Sequence, residues 1–409
     1  MHRIKLYPMK RIYQYVLEEH LKSYDQMLFF AGPRQVGKTT IATGAKTLFR
    51  HTKFLNWDKL KDREQIVSDT SLLQGLPLDA MLQSKPLIIF DEIHKYSHWK
   101  IFLKGLIDEY KTKLHIIVTG SCKLDIYRKG GDSLMGRYFL YHVHPISVAE
   151  LLRTFAPDKP ISTPKEIPHN LFDALLEFGG FPEPFIKQNK RFYTRWKNLR
   201  NQQMLKEDIR DSSQIHEIAQ LELLSYTLQY QSTQLLNYSN LSKKIRVSDQ
   251  TIRRWVELLK SYYYCFTLKP WSQNISRGLL KEPKIYLWDW SILEDKGLKI
   301  ENFIASHLLK AVNFWTDTGL GQYELYYLRD KDKKEVDFLV TENNKPWFLV
   351  EVKSSTKESI SKNLYYFQKQ TGAKHAFQIV FDLPYVDKDC FEYTEPIIVP
   401  AKTFLSQLV

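Results

Sequence analysis

GPRQVGKT, residues Gly32 to Thr39, is the stretch on which the fold turns. It follows the apolar run MLFFA (27–31) and precedes IATGAKTLF (41–49), whose apolar spacing is helical. A strand that breaks at a glycine-rich turn and re-enters as a helix aims successive backbone N–H groups at one spot, the geometry that holds a phosphate. Gly32 and Gly37 permit the turn, and Pro33, Arg34, Gln35 and Val36 give it its length. Lys38 is then placed to reach β- and γ-phosphates and the Thr39 hydroxyl to bind Mg²⁺, with Thr40 following in the helix. A Gly-Lys-Thr also arises by chance at helix starts, but the strand before it and the helix after it argue against chance here.

Three further blocks extend the reading. PLIIFDE (86–92) is a buried-strand run ending in paired carboxylates, Asp91 for the metal and its water shell and Glu92 to polarise an attacking water. Such a pair can also simply cap a helix; its pairing with the upstream loop favours the chemical role. HIIVTGS (115–121) is another buried-strand run, and it ends in a small polar residue suited to sensing the γ-phosphate, with Ser121 the first choice and Thr119 the second. GDSLMGRYFLYHV (131–143) sets Arg137 just before a strand, where a neighbouring subunit offers an arginine finger, although position alone leaves an ordinary surface arginine equally open. A finger would make the protein a homo-oligomer, a hexamer being one form. Apolar runs alternate with longer amphipathic segments from 27 to 150, which predicts a parallel sheet flanked by helices.

These four blocks resemble the AAA+ ATPases whose loop reads G-x-R-Q-x-G-K-T-T, followed by D-E-I, T-G-S and S-L-x-G-R. In that group the ATPase is fused to a C-terminal DUF4143 region, and GGFPEPF (179–185), PKIYLWD (283–289), ENFIASHLL (301–309), EVDFLV and EVK match it as well. The resemblance covers almost the whole chain. It implies an ATP- and Mg²⁺-dependent ATPase and supplies architecture more than a substrate.

Beyond the first domain, RTFAPDKPISTPKEIP (153–168) is Pro-rich and aperiodic and reads as a linker, after which the spacing turns helical to about Lys269. NYSNLSKKIRVSDQTIRRWVELLKSYYYCFTL (237–268) is a helix-turn-helix pattern, with a turn at Arg246 to Ser248 and a cap at Ser248 or Asp249. Ile252, Trp255, Val256 and Leu259 form its apolar stripe, leaving Gln250, Thr251, Arg253 and Arg254 for phosphates and base edges. Lys269, Arg277 and Lys281 fall in the strand and loop that would form a wing. A lid or packing module that never touches DNA remains the alternative. RFYTRWKNLR (191–200) interleaves aromatics with basic residues and is read as a weak accessory signal.

In the C-terminal part, KEVDFLV holds Asp337, and WFLVEVK holds Glu351 and Lys353 at i and i+2, on one face of a strand. Carboxylates converging with an ammonium are what phosphodiester hydrolysis requires: oxygen ligands for a metal and a cation beside the nucleophilic water. Glu301 is the candidate third acidic ligand. The set resembles the PD-(D/E)xK nuclease fold, in the small version found in archaeal Holliday-junction resolvases. Because E-x-K also forms surface ion pairs and such folds lose activity while keeping their shape, cleavage stays open.

The expected domains are 1–155, an AAA+ P-loop ATPase; 168–290, a helical lid and winged helix; and 298–409, a small α/β nuclease-like domain. With 59 Lys plus Arg against 46 Asp plus Glu, the net charge of +13 favours polyanionic partners, DNA above all. Cys122, Cys265 and Cys390 lie far apart without a CxxC pair, which predicts neither a zinc framework nor a disulfide scaffold. The basic N-terminus has no apolar core segment and no run approaches a bilayer span, so a cytoplasmic protein without membrane contact is expected. The leading function is an ATPase that binds and remodels duplex or branched DNA, with or without cleavage. The alternative is a nucleotide-controlled switch or scaffold that binds a protein partner.

Overall fold

The computed structural model describes residues 10–68, 72–78, 85–120, 134–153, 155–209, 217–272, 282–355 and 359–409, the side chains of 207 and 208 excepted. The chain forms two compact units, the first reaching to His144 and the second holding Pro145–Arg153 and Pro157–Val409.

The first unit runs α1 (Ile12–Ser23), β1 (Met27–Ala31), α2 (Lys38–Gly44), β2 (Thr52–Asn56), α3 (Leu60–Val67), β3 (Leu87–Asp91), α4 (Trp99–Tyr110), β4 (His115–Gly120) and β5 (Tyr138–His142). Its strands pair in the order β2-β3-β4-β1-β5, every pair parallel. Parallel strands need helical crossovers that cover both faces, which is why MLFFA and the LIIF that precedes Asp91 are apolar throughout and wholly buried. On one face Phe29, Ile88, Phe90 and Val118 pack with Leu103 and Ile107 of α4. The alternation in the sequence therefore produced the expected α/β layer. All five strands point the same way, so the polar residues that end them gather at one edge of the sheet.

The second unit contains α5 (Val148–Leu152), α6 (His169–Phe178), α7 (Pro182–Lys187), α8 (Lys190–Gln202) running into a π-helical turn (Gln203–Ile209), α9 (Ile218–Tyr230), α10 (Tyr238–Ile245), α11 (Asp249–Ser261) and the antiparallel pair β6 (Cys265–Leu268) and β7 (Lys284–Leu287). There follow α12 (Lys296–Asp317), β8 (Tyr323–Arg329), β9 (Glu335–Glu342), β10 (Lys345–Lys353), α13 (Lys362–Thr371), β11 (His375–Val380), β12 (Ile397–Pro400) and α14 (Ala401–Gln407). The small C-terminal α/β domain has a mixed sheet, β12-β11-β10-β9-β8, antiparallel through β8-β9-β10 and parallel through β10-β11-β12.

Three domains were expected, 1–155, 168–290 and 298–409, and the second unit holds contacts that reach across those bounds. α5 packs into the second unit, ahead of the Pro-rich stretch. The Ser147 hydroxyl donates to Val409 O (2.7 Å), the Val148 N–H to His307 Nε2 (3.1 Å), and buried Lys310 pairs with buried Glu150. The helical and α/β parts are joined through α12, whose buried Asn302 exchanges bonds of 2.7 Å with both backbone groups of Leu287 and accepts from Ser232 (2.8 Å). An amide satisfied on all sides in a dry interior ties the two parts into one packed body.

Candidate functional site

The phosphate-type loop joins β1 to α2. Gln35 (φ 63°) and Gly37 (φ 100°) take left-handed backbone conformations, which turn the loop back on itself. A Cβ on Gly32 would lie 2.3 Å from Val143 O, so only glycine fits beside the end of β5. The buried Lys38 ammonium donates to Gly32 O (2.9 Å) and Pro33 O (2.8 Å) and so lies along the loop it would share with phosphates. From α1, the buried Arg11 guanidinium donates to Val36 O and His144 O, both at 2.7 Å, and so fixes the loop from outside.

Asp91 sits at the centre of a row of three polar residues across the sheet edge. Strand register sets Asn56 and Thr119 on either side of it. Asn56 Nδ2 donates to Asp91 Oδ2 (2.8 Å), the Thr119 hydroxyl donates to Oδ1, and Thr39 Oγ1 reaches Oδ1 at 3.0 Å from the loop helix. Burial raises the Asp91 pKa, against the hydrogen bonds from Thr119 and Thr39 that favour the carboxylate. A hydroxyl and a carboxylate oxygen meeting beside a phosphate-type loop are hard oxygen donors, the set that fits a small divalent cation. Glu92 follows in a left-handed conformation (φ 56°), an uncommon state for a branched-chain-free acid that points to a constrained position. Its Oε2 lies 3.6 Å from His94 Nε2 and 3.8 Å from Lys95 Nζ. Burial holds the His94 pKa down, so its ring stays neutral beside Glu92.

Arg137 precedes β5, at the sheet edge opposite the loop, since β5 runs parallel to β1 with Tyr138 beside Met27. Five residues of β1 at ~3.3 Å each put about 15 Å of strand between the two edges. There Arg137 makes a forked ion pair with Asp108, Nε to Oδ1 at 2.7 Å and Nη2 to Oδ2 at 2.9 Å. Ser121 lies outside the described residues.

In the second unit, α10 ends at Arg246 in a left-handed conformation and α11 starts from Ser248, whose hydroxyl accepts from Thr251 N (3.1 Å). Ile252, Trp255, Val256 and Leu259 are all fully buried. Lys243, Lys244, Arg246, Gln250, Arg253 and Arg254 are exposed, with Arg253 stacked on the Tyr238 ring at 4.0 Å. Thr251 is half-buried and bonded to Ser248, which withdraws it from the outward set. Lys269 is exposed after β6, while Arg277 and Lys281 lie outside the described residues. In the 191–200 stretch Trp196 is buried and Arg200 stacks on Phe181 (4.0 Å) and faces Asp289 (3.5 Å), while Arg191 and Arg195 are exposed.

The C-terminal acidic residues come together, but around an amine. Lys284 of β7, buried, has its Nζ 2.5 Å from Glu335, 3.6 Å from Glu301 and 3.7 Å from Asp337. Asp337 Oδ2 accepts from Val352 N (2.9 Å), Tyr286 OH donates to Glu301 (3.0 Å), and Lys353 lies 3.1 Å from Glu351. Burial, followed by repulsion from Asp337, raises the Glu301 pKa to about 8. Burial also raises Asp337 and Glu351. At Lys284 burial opposes the charged form, yet Glu301, Asp337 and Glu335 together outweigh it and raise the pKa. Glu301, Asp337 and Glu351 were the expected metal ligands. Among the described residues no group of three acidic, histidine or cysteine side chains is arranged to hold a metal ion. Lys284 stands between two of these carboxylates, Glu301 and Asp337, while Glu351 pairs with Lys353.

Three family models match in series. Residues 24–152 match the AAA domain, 169–301 a domain of unknown function (DUF8612), and 296–390 a domain of unknown function (DUF4143). The chain carries an AAA domain at its N-terminal end and a DUF4143 region at its C-terminal end. It is similar to an uncharacterized protein of Mycobacterium tuberculosis, 23% identical over 353 residues that cover 83% of this chain and 72% of that protein. It is also similar to an uncharacterized protein of Methanocaldococcus jannaschii, 20% identical over 313 residues that cover 68% and 64% of the two chains. An AAA domain implies nucleotide binding with a divalent metal and supports ATPase activity. No helix among the described residues is long and apolar enough to cross a membrane.

Three residues of the AAA-domain protein that sequence reading did not single out help build these sites. Asn56 ends FLNW and is revealed only by its register with Asp91; Arg11 and Lys284 reach their partners from distant parts of the chain. Cys265 and Cys390 are buried, and the Cys390 thiol donates to Gln407 Oε1 (2.9 Å).

Proposed function

We propose that this protein hydrolyses ATP and couples the turnover to DNA bound by α10 and α11. The observation that carries the first half is the convergence of Thr39, Asp91, Thr119 and Asn56 beside the Gly32–Thr39 loop. Thr39 and Asp91 would hold Mg²⁺, which when bound neutralises the phosphate oxygens. Lys38 would leave the carbonyls of Gly32 and Pro33 for the β- and γ-phosphates, and the backbone N–H groups of the loop would bind the rest. Glu92 would take the proton of the attacking water. Thr119 would link the γ-phosphate side of the site to Asp91.

Arg137 stands at the far sheet edge from its own loop, so as a finger it would act on the nucleotide of a neighbouring copy. The Asp108 pair would have to open for that, which is a small cost for an exposed ion pair. This reading makes the active form a homo-oligomer, with a hexamer one candidate.

For DNA, the support is a capped second helix that exposes Gln250 and Arg254, flanked by Lys243, Lys244 and Arg246, in a chain of net charge +13. The cations would contact phosphates and the helix N-terminus would face base edges. Cleavage by the DUF4143 region is not part of this proposal, because Lys284 stands among the carboxylates that a metal would need. The test is phosphate release measured with no nucleic acid and with duplex, forked and four-way-junction DNA at two salt concentrations. Salt-sensitive stimulation by one DNA form supports the proposal. Unchanged turnover, with no salt-sensitive binding to any of them, favours a nucleotide-controlled switch that acts on a protein partner.

A further inference from the structure

The DUF4143 region carries Asp337 and the Glu351-x-Lys353 pair read as a nuclease pattern, yet this chain's own cations already offset most of the charge of its acidic cluster. Four carboxylates, Glu301, Glu335, Asp337 and Glu351, face three cations. Lys284 lies within 3.7 Å of Glu301, Glu335 and Asp337; Arg329 Nη1 is 2.8 Å from Glu335; Lys353 is 3.1 Å from Glu351. Hydrogen bonds take up more of the oxygens: Tyr286 OH donates to Glu301 and Val352 N–H to Asp337. Glu351 Oε2 alone among these oxygens is buried without a hydrogen bond.

We propose that the Lys284 ammonium is the resident cation of this cluster, standing in the position a divalent metal takes in a nuclease and making the region a metal-independent fold. The reasons are charge and space. An ammonium is a compact point charge with three donors, and here it is directed at three carboxylates from a buried stem on β7. A divalent ion bound to Asp337 and Glu301 would meet that ammonium across the same oxygens and be repelled. Lys284 also comes from the strand pair that follows the helix-turn-helix, so the helical part supplies the cation that completes the α/β part. Removing one partner from such a buried set leaves charges unpaired, so the amine also acts as a structural link. The inference is independent of the ATPase reading.

Mn²⁺ alone, without nucleotide, is the probe, titrated into the full chain and followed by calorimetry and thermal melting. The wild type and Asp337→Asn should give the same titration, because no Mn²⁺ binds at Asp337 in either. Lys284→Met should melt lower than the wild type in chelator, regain stability with Mn²⁺, and bind Mn²⁺ at least about tenfold more tightly than the wild type. Adding Asp337→Asn to it should abolish both gains, and Lys284→Arg should behave as the wild type does. A wild-type Mn²⁺ site that Asp337→Asn removes would overturn the proposal, and this comparison holds even where Lys284→Met fails to fold. A folded Lys284→Met that gains neither Mn²⁺ affinity nor Mn²⁺-dependent stability would overturn it as well.

Discussion

Replacing Arg11 by Met should loosen the phosphate-type loop without touching any residue that would meet the nucleotide. The guanidinium donates at 2.7 Å to Val36 O within the loop and at 2.7 Å to His144 O beyond β5, and it is buried. A hydrogen bond from a charged group contributes ~1.5–3 kcal/mol, so the two together give an upper bound of about 3–6 kcal/mol. Removing a buried charge recovers part of that, while two carbonyls left without donors cost ~1–3 kcal/mol each. A net loss of about 2–4 kcal/mol, confined to the first unit, is the working figure. Only the share felt by the loop conformation weakens nucleotide binding, and each ~1.4 kcal/mol of it costs about tenfold in apparent affinity. Arg11→Met should therefore bind a fluorescent ATP analogue at least about tenfold more weakly and lower the melting transition of the first unit. Arg11→Lys, which keeps the charge but loses the fork, should fall between the two. Wild-type affinity and an unchanged melt in Arg11→Met would refute the claim that this residue braces the loop.

Other outcomes follow from the same structure. His307 is fully buried, its Nδ1 bonded to Phe303 O and its Nε2 accepting from Val148 N, and burial lowers its pKa from 6.5 to about 3. Its contribution is complete above pH 6.5 and is lost as pH falls towards 3, on the order of 5 kcal/mol in all, so denaturant midpoints should fall with acid and His307→Gln should flatten that slope. Arg137→Ala should lower turnover but leave ATP binding and the melting temperature nearly unchanged, and added wild-type protein should restore part of the rate; loss of nucleotide binding would assign Arg137 a structural role. Arg254→Ala should weaken DNA binding alike across sequences and reduce the slope of log affinity against log salt by about 1, measured by fluorescence anisotropy. An unchanged slope would remove α11 from the DNA contact.

Much of this architecture was legible because short-range rules governed it. The parallel sheet followed from apolar runs buried on both faces, and the loop from two glycines and a Lys-Thr pair at fixed spacing. The helix-turn-helix followed from a Ser248 cap and a stripe at Ile252, Trp255, Val256 and Leu259. What escaped depended on packing between distant segments. Asn56 belongs to the Asp91 row only through strand register, and Arg11 reaches the loop only because α1 lies against it. Lys284 carried no motif, yet it lies within 3.7 Å of Glu301 and Asp337, two of the residues expected to bind a metal. The 191–200 stretch gave only a weak signal, and nothing in it marked Arg200 as the residue that stacks on Phe181 and approaches Asp289. The hydrogen bonds that α5 and α12 make across the expected domain bounds are likewise something composition does not register.

The most direct test of the account is phosphate release from ATP and Mg²⁺ by the purified full chain, compared with Lys38→Ala and Asp91→Asn. Both lie at the convergence of the loop with the polar row of the sheet edge. Turnover in the wild type should fall about 100-fold or more in each variant, with the fold retained by circular dichroism. Turnover that survives Lys38→Ala at the wild-type rate, or a wild type that neither binds nor hydrolyses ATP, would contradict the central claim.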